Sequence, residues 1–210
     1  AGLPQTGVAD EETMKMMGLN RCGVPDVQNM GDMTKRRKRY SRQGSKWDYN
    51  DLKYAITKYP ADNDLTPDQV NKEVKRGFEV WSDVSPLTFT QVAANQQADI
   101  LVSFEPQRHG DRNDFDGPGG TLAHAFFPQF GGNAHMDDAE TWTMEQDQGT
   151  NLFQVVAHEF GHSLGLSHSN IQTALMAPFY RGYVPNFMLH QDDIDGIQAI
   201  YGELLVTSET

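Results

Sequence analysis

At 210 residues, with 38% hydrophobic and 22% charged side chains, the chain can bury the core of one ordinary domain and carry a small appendage. No apolar run is long enough to span a membrane as a helix. Ala1-Gly2-Leu3-Pro4 has none of the character of a secretion signal, so any such signal is expected to have been removed or to lie outside this sequence. A net charge of −12 repels phosphate and sets nucleic acid aside as a partner.

Residues 1–39 read as a separate stretch. A short helical piece is predicted from about Asp10 to Met17, followed by Arg21-Cys22-Gly23-Val24-Pro25-Asp26-Val27 and then the basic run Lys35-Arg36-Arg37-Lys38-Arg39, a linker too short and isolated to bind nucleic acid. Cys22 is the only cysteine, so no internal disulfide can form. A single core is expected from about Tyr40. Leu52, Tyr54 and Ile56 alternate with polar residues between Asp51 and Tyr59, which predicts a half-buried strand. Thr66-Pro67-Asp68-Gln69 supplies an N-cap, a proline at the first helical position and a capping box. Val70, Val74, Phe78 and Trp81 then keep helical spacing to about Asp83. Strands are predicted at Leu87 to Val92 and Ile100 to Phe104. The Gly-, Asp- and His-rich region 105–140 is expected to be mostly loop, with one short strand at Leu122 to Phe127. A helix from about Asn151 to Ser163 and a last one from Asp192 to Tyr201, with apolar Ile194, Ile197 and Ile200, complete one open sheet covered by helices.

The chemistry concentrates in His158-Glu159-Phe160-Gly161-His162-Ser163-Leu164-Gly165-Leu166-Ser167-His168, which fits His-Glu-x-x-His-x-x-Gly-x-x-His at every fixed position. Four residues apart on a helix, His158 and His162 share one face and can grip one Zn²⁺. Glu159 sits one residue along, able to reach a water at the metal without being a ligand. Gly165 lets the chain leave the helix at positive φ and bring His168 round as third ligand. Three protein ligands leave a fourth tetrahedral position open, the mark of a catalytic zinc.

Two weaker constellations lie upstream. His109, Asp111, His124 and His135 could close a tetrahedron around a structural zinc, or each histidine could simply be hydrogen-bonded; spacing alone leaves both open. Asp116-Gly117-Pro118-Gly119-Gly120-Thr121 with Asp137, Asp138 and Glu140 offers oxygen ligands and tight turns suited to Ca²⁺, or a solvated acidic loop.

With these motifs in place, the chain resembles the matrix metalloproteinases, the matrixin branch of the metzincins. Ser169 follows the zinc motif as in that family, and Ala174-Leu175-Met176-Ala177-Pro178 resembles its Met-turn, with Met176 as an apolar floor beneath the histidines. Arg21-Cys22-Gly23-Val24-Pro25-Asp26 resembles its cysteine switch, although Asn20 stands where the family usually has Pro. The resemblance implies an α/β (α+β) metzincin-like fold: a twisted, mostly parallel five-stranded sheet with three helices, the catalytic zinc helix being followed by the Met-turn. It implies that residues 1–39 are the C-terminal part of a propeptide, 40–202 the catalytic domain and 203–210 the start of a linker, with no hemopexin-like domain in this sequence. It places His109, Asp111, His124 and His135 on a structural zinc, and a calcium on Asp116, Gly117, Gly119, Thr121, Asp137 and Glu140. A second calcium would take Asp64, Asp138 and Glu140, and a third Asp99, Gln129, Gly131 and Asn133, the last standing where the family carries Asp.

The function implied is that of a zinc endopeptidase with two Zn²⁺ and two or three Ca²⁺, cleaving extended segments of extracellular or matrix proteins. Substrate would add as a strand near Leu122-Ala123, and the segment from Ala177 to His190 would line the pocket for the residue after the scissile bond. Gln154, one turn before His158, is expected on the side of that pocket; a plain surface glutamine is the alternative. In the latent form Cys22 would occupy the fourth zinc position. Arg36-Arg37-Lys38-Arg39 suits a proprotein convertase such as furin, and cleavage after Arg39 would free Tyr40 to pair with Asp192. By the same resemblance, tissue-inhibitor-type proteins would be partners and the location secreted or, in a longer parent, membrane-anchored. A catalytically dead metal-binding or adhesion module is the competing class; Glu159 beside three intact histidines argues against it.

Overall fold

The computed structural model describes residues 7–26, 44–62 and 64–204. The basic run, the expected cleavage point after Arg39 and the pairing of Tyr40 with Asp192 lie outside the described residues, as does 205–210.

In chain order the elements are α1 (Glu11–Met17), β1 (Arg21–Cys22), β2 (Asp51–Lys58), α2 (Pro67–Ser82), β3 (Thr88–Gln91), β4 (Ile100–Glu105), β5 (Thr121–Ala125), β6 (Ala134–Asp137), β7 (Trp142–Thr143), β8 (Thr150–Asn151), α3 (Leu152–Ser163) and α4 (Gln191–Tyr201). The main sheet has the order β1-β5-β6-β4-β2-β3. Strands β3, β2, β4 and β6 run parallel, β5 is antiparallel to β6, and β1 lies parallel on the outer edge of β5. Five strands with α2, α3 and α4 form the expected mixed α/β core, and the sixth strand comes from the N-terminal stretch. Strands β7 and β8 make a separate parallel pair. Among the described residues no helix is long and apolar enough to cross a membrane.

Local chemistry explains most of these boundaries. Thr66 accepts from the Gln69 N–H while the Gln69 side chain accepts from the Thr66 N–H, the reciprocal capping box that starts α2. Asp10 caps α1 in the simpler way, through the Thr13 N–H. Strand β6 departs from the loop expected over 105–140. Ala134 and Met136 are its only apolar residues and both are fully buried, because β6 is inserted between β4 and β5; two positions are too few to show an alternation in sequence.

The layer that carries α3 is built on aromatic packing. Phe78 of α2 stacks on Phe160 of α3 with ring centroids 3.6 Å apart, and Trp81 Nε1 donates to the Ala157 carbonyl at 2.9 Å. Phe78, Trp81 and Phe160 are all buried, each worth about 1.5–3 kcal/mol of apolar transfer. The far end of α3 is tied down as well: Trp47 Nε1 donates to the Ser163 carbonyl at 3.0 Å and the Tyr201 hydroxyl to that of Leu164 at 2.9 Å. The helix is therefore a fixed platform.

Candidate active site

Helix α3 starts on Asn151, whose side chain accepts from the Gln154 N–H, and every one of its residues is buried. It ends in a Schellman-type turn: the Gly165 N–H donates to His162 O and the Leu166 N–H to Gly161 O, both at 2.9 Å, with Gly165 at φ 102°. This turn reverses the chain so that His168 comes back over the helix. Gly161 has a separate role, since a Cβ there would collide with the Met176 sulfur. Met176 thus passes directly under the helix between the two histidine turns. Asp193 of α4 holds that floor in place, accepting from the Leu175 and Met176 N–H groups at 2.8 and 3.0 Å.

Above the floor, Cys22, His158, His162 and His168 bring one ligand atom each within 4.8 Å of one another. Each imidazole donates from Nδ1 to a fixed oxygen: His158 to Leu175 O at 2.6 Å, His162 to Leu166 O at 2.7 Å, and His168 to Asp26 Oδ1 at 2.9 Å. With Nδ1 carrying the proton, each Nε2 is a bare lone pair, and all three Nε2 atoms are buried without a hydrogen-bond partner. Three orphaned acceptors converging on one point fit a cation. Burial, helped by the neighbouring His168, depresses the affinity of His158 for a second proton to a pKa of about 3, and that of His162 also falls well below the usual range, so both rings stay neutral and able to ligate.

Glu159 lies beside this point, buried, with Oε2 unpartnered. Burial lifts its carboxyl to a pKa of about 8. Burial, and after it the Glu159 charge, push the Cys22 thiol well above its ordinary value, while its sulfur accepts from the Val24 N–H at 3.3 Å. The segment carrying Cys22 lies in a groove between two walls, strand β5 on one side and irregular chain on the other. On one side the Arg21 N–H donates to Gly120 O and the Gly23 N–H to Ala123 O, both at 2.8 Å. On the other the Cys22 N–H donates to Pro178 O at 3.0 Å and the Tyr180 N–H to Asn20 O at 2.9 Å. A cavity of about 290 Å³ opens off this groove, with Leu122, Gln154, Val155, Val184 and Phe187 among its walls and Met188 exposed in its lining. Gln154 is buried there, its Oε1 accepting from the Val184 N–H at 2.9 Å.

Residues 46–202 of the chain match the family described as Matrixin. The chain belongs to the matrixin family. It is 46% identical over 202 residues to the hatching enzyme of Paracentrotus lividus, covering 96% of this chain and 32% of that protein. It is 48% identical over 208 residues to the macrophage metalloelastase of Rattus norvegicus (96% of this chain, 41% of that one) and 48% over 203 residues to the interstitial collagenase of Equus caballus (96% and 40%). The chain therefore spans about a third to two-fifths of the length of these relatives.

The second histidine group of this matrixin is also assembled. Asp111 Oδ2 lies 2.7 Å from His124 Nε2, 2.9 Å from His135 Nδ1 and 3.0 Å from His109 Nε2, and the four residues offer ligand atoms within 4.8 Å of one another. Strand register makes the pairing, since His124 of β5 stands opposite His135 of β6. Burial lowers the His124 pKa to about 4 and that of His135 as well, against the pull of Asp111. Burial also works against the Asp111 carboxylate, yet the Asn113 N–H and His124 hold its pKa down at about 2.

The oxygen-rich positions are arranged more loosely. Asp116 accepts from the Thr121 N–H, Glu140 from the Gly119 N–H and the Thr150 hydroxyl, and Asp137 from the Ala139 N–H, leaving Asp137 Oδ2 buried and unpartnered. Burial raises the pKa of both Asp137 and Glu140, and Asp116 adds to the rise in each. Gly117 has φ 88°, and Asp138 accepts from the Ala61 N–H at 2.8 Å, while Asp64 is exposed. At the third set, Asp99 takes the Tyr49 hydroxyl at 2.6 Å and the Lys53 N–H at 2.7 Å, Asn133 takes the Leu101 N–H, Gly131 has φ 97° and Gln129 is exposed.

Two features of the site have no signature in the sequence. Asp26 and His168 are 142 positions apart and nothing in the spacing joins them. The wall at 178–180 is irregular chain, visible only through its bonds to Asn20 and Cys22. Gly161, by contrast, had a usable signal, because a glycine inside a helix calls for a packing reason.

Proposed function

We propose that this chain is the catalytic domain of a zinc endopeptidase together with the end of its own propeptide, held latent by Cys22. The observation that carries the proposal is the convergence of three unpartnered Nε2 atoms on the Cys22 sulfur in a groove where an extended segment already lies, hydrogen-bonded on both sides. His158, His162 and His168 would hold the catalytic zinc. Zinc bound there supplies Lewis acidity, drawing electron density from a carbonyl oxygen and making a water more acidic. Glu159 takes the proton of the attacking water and returns it to the departing amine. The N–H and C=O groups of 120–123 and 178–180, now paired with residues 20–23, hold a substrate backbone in the same extended form, and the adjoining cavity with Gln154 on its wall receives the side chain beyond the scissile bond.

His109, Asp111, His124 and His135 would fasten a structural zinc. Mutual repulsion among Asp116, Asp137 and Glu140 supports a calcium there, with the carbonyls of Gly117, Gly119 and Thr121, and a second calcium at Asp64, Asp138 and Glu140. Asp99, Gln129, Gly131 and Asn133 are the weakest set, because both Asp99 oxygens and the Asn133 carbonyl oxygen already accept protein hydrogen bonds. Residues 1–39 are read as propeptide, 40–202 as the catalytic domain and 203–210 as linker, with a convertase cutting after Arg39, tissue-inhibitor-type proteins as regulators and extracellular or matrix proteins as substrates. The names of the relatives, a hatching enzyme, an elastase and a collagenase, support that substrate class. The parent is read as secreted or membrane-anchored.

The test is the uncut chain with Cys22→Ser, assayed on a quenched peptide beside the uncut parent and the parent cut at Arg39. The variant and the cut parent should both be active and the uncut parent nearly inert. A Cys22→Ser chain as inert as the uncut parent, with zinc fully loaded, overturns the latency.

A further inference from the structure

The three histidines are not held alike. His158 and His162 each lean on a backbone carbonyl of the catalytic core, at Leu175 and Leu166. His168 leans on a carboxylate, Asp26 Oδ1 at 2.9 Å, and that carboxylate belongs to the segment that carries Cys22. Asp26 is itself fixed. Arg21 Nη2 reaches the same Oδ1 at 2.7 Å, Arg21 Nε donates to the Cys22 carbonyl at 3.0 Å, and the guanidinium sits 5.1 Å from the centre of the Phe179 ring on the far wall of the groove. A carboxylate behind an imidazole orients the ring, fixes its tautomer and makes its other nitrogen a stronger donor than a neutral carbonyl would.

From this contact we infer that Asp26 is a positioning residue for the catalytic metal: the N-terminal segment strengthens zinc binding through His168, in addition to placing Cys22 at the fourth position. The inference rests on the reading that His158, His162 and His168 hold zinc. Its consequence is that losing the segment does two things. It clears the position needed for water, and it leaves His168 without its charged support. The uncut chain is then the tighter zinc binder even when sulfur contributes nothing, and the cut enzyme gives up its catalytic zinc to a chelator more readily.

The experiment uses the full uncut chain in a Cys22→Ser background, so that sulfur ligation is absent from every comparison. Zinc binding at this site is followed by the ¹⁵N shifts of the His158, His162 and His168 Nε2 atoms in chelator-buffered zinc, and docking of the segment by hydrogen exchange at the amides of positions 22 and 23. Adding Asp26→Ala should weaken zinc by about ten- to a hundredfold and remove the deshielded His168 Nδ1 proton, with exchange at positions 22 and 23 unchanged. Asp26→Asn, which keeps an acceptor oxygen without the charge, should fall between the two. Unaltered zinc affinity in Asp26→Ala overturns the inference. So does a loss of affinity that appears only together with loss of exchange protection, because Asp26 would then be holding the segment and not the ring. A parent chain whose three Nε2 shifts never respond to zinc would overturn the metal reading itself, an outcome distinct from both.

Discussion

His158, His162 and His168 reach their meeting point from one short run of sequence, whereas His109, Asp111, His124 and His135 are drawn together from a loop and two strands. In the first group helix geometry and one turn set every angle, and the Nε2 atoms are left bare beside a groove. In the second the register of β5 against β6 sets the pairing, and the Asp111 carboxylate already takes up His124 and His135. The first cluster lies beside an open groove, and the second is drawn in around the Asp111 carboxylate. On the proposed assignment, identical rings would serve chemistry in one place and cohesion in the other, according to whether a coordination position is left free.

The sharpest way to test the contrast is to damage each cluster separately. Glu159→Ala in the activated enzyme should lower kcat/KM on a peptide by about 10²–10⁴, the range for losing a general base, while zinc content measured by atomic emission stays at the parent level. Near-normal turnover with zinc bound would end the assignment. His124→Ala should act the other way round: one zinc lost per chain, and a fall in Tm of about 4–12 °C. That range follows from about 2–3 kcal/mol for a broken buried network at about 2–4 °C per kcal/mol in a domain of this size. Calorimetry with metal analysis decides it; an unchanged Tm and stoichiometry would show that the second cluster fastens nothing.

Gly161→Ala probes the floor shared by the two helix histidines. Its methyl group has no room against the Met176 sulfur and should cost about 1–3 kcal/mol by overpacking, lowering Tm and activity together. Recovery of both by Gly161→Ala with a smaller residue at Met176 would place the clash where the geometry puts it. The smallest effect belongs to Gln154→Leu, which removes the acceptor for the Val184 N–H from the cavity wall. A peptide library should show preferences shifted a few-fold toward apolar residues after the scissile bond, about 1 kcal/mol of discrimination, with zinc unchanged. Identical profiles would take Gln154 out of the pocket.

How much of this was legible in the sequence follows the same division. Helix α2 could be read to within a residue because its capping box and the spacing of Val70, Val74, Phe78 and Trp81 are local signals. The run from His158 to His168 was legible for the same reason: candidate ligands one turn apart need only a helix and a glycine. The second cluster could be named as candidates, but its assembly depends on β5 meeting β6 in one register, and β6 shows almost no pattern of its own. Least legible were the contacts across the groove, Asp26 to His168 and Arg21 to Phe179, which join distant positions that no local spacing links.

The seat of Arg21 and Cys22 on the rim of β5 has one more consequence, for how the molecule keeps company with others of its kind. A sheet ends in unpaired N–H and C=O groups, and two such rims can zip together into aggregates. Here the rim at Thr121 to Ala123 is covered by the chain's own residues, and the opposite rim, β3, is short and mostly exposed threonine and glutamine. If residues 21–22 withdraw as proposed, the rim that would take a substrate is bare to every other extended chain as well. On the proposed latency, the uncut form is the one that tolerates crowding, and activation would exchange some of that colloidal safety for access.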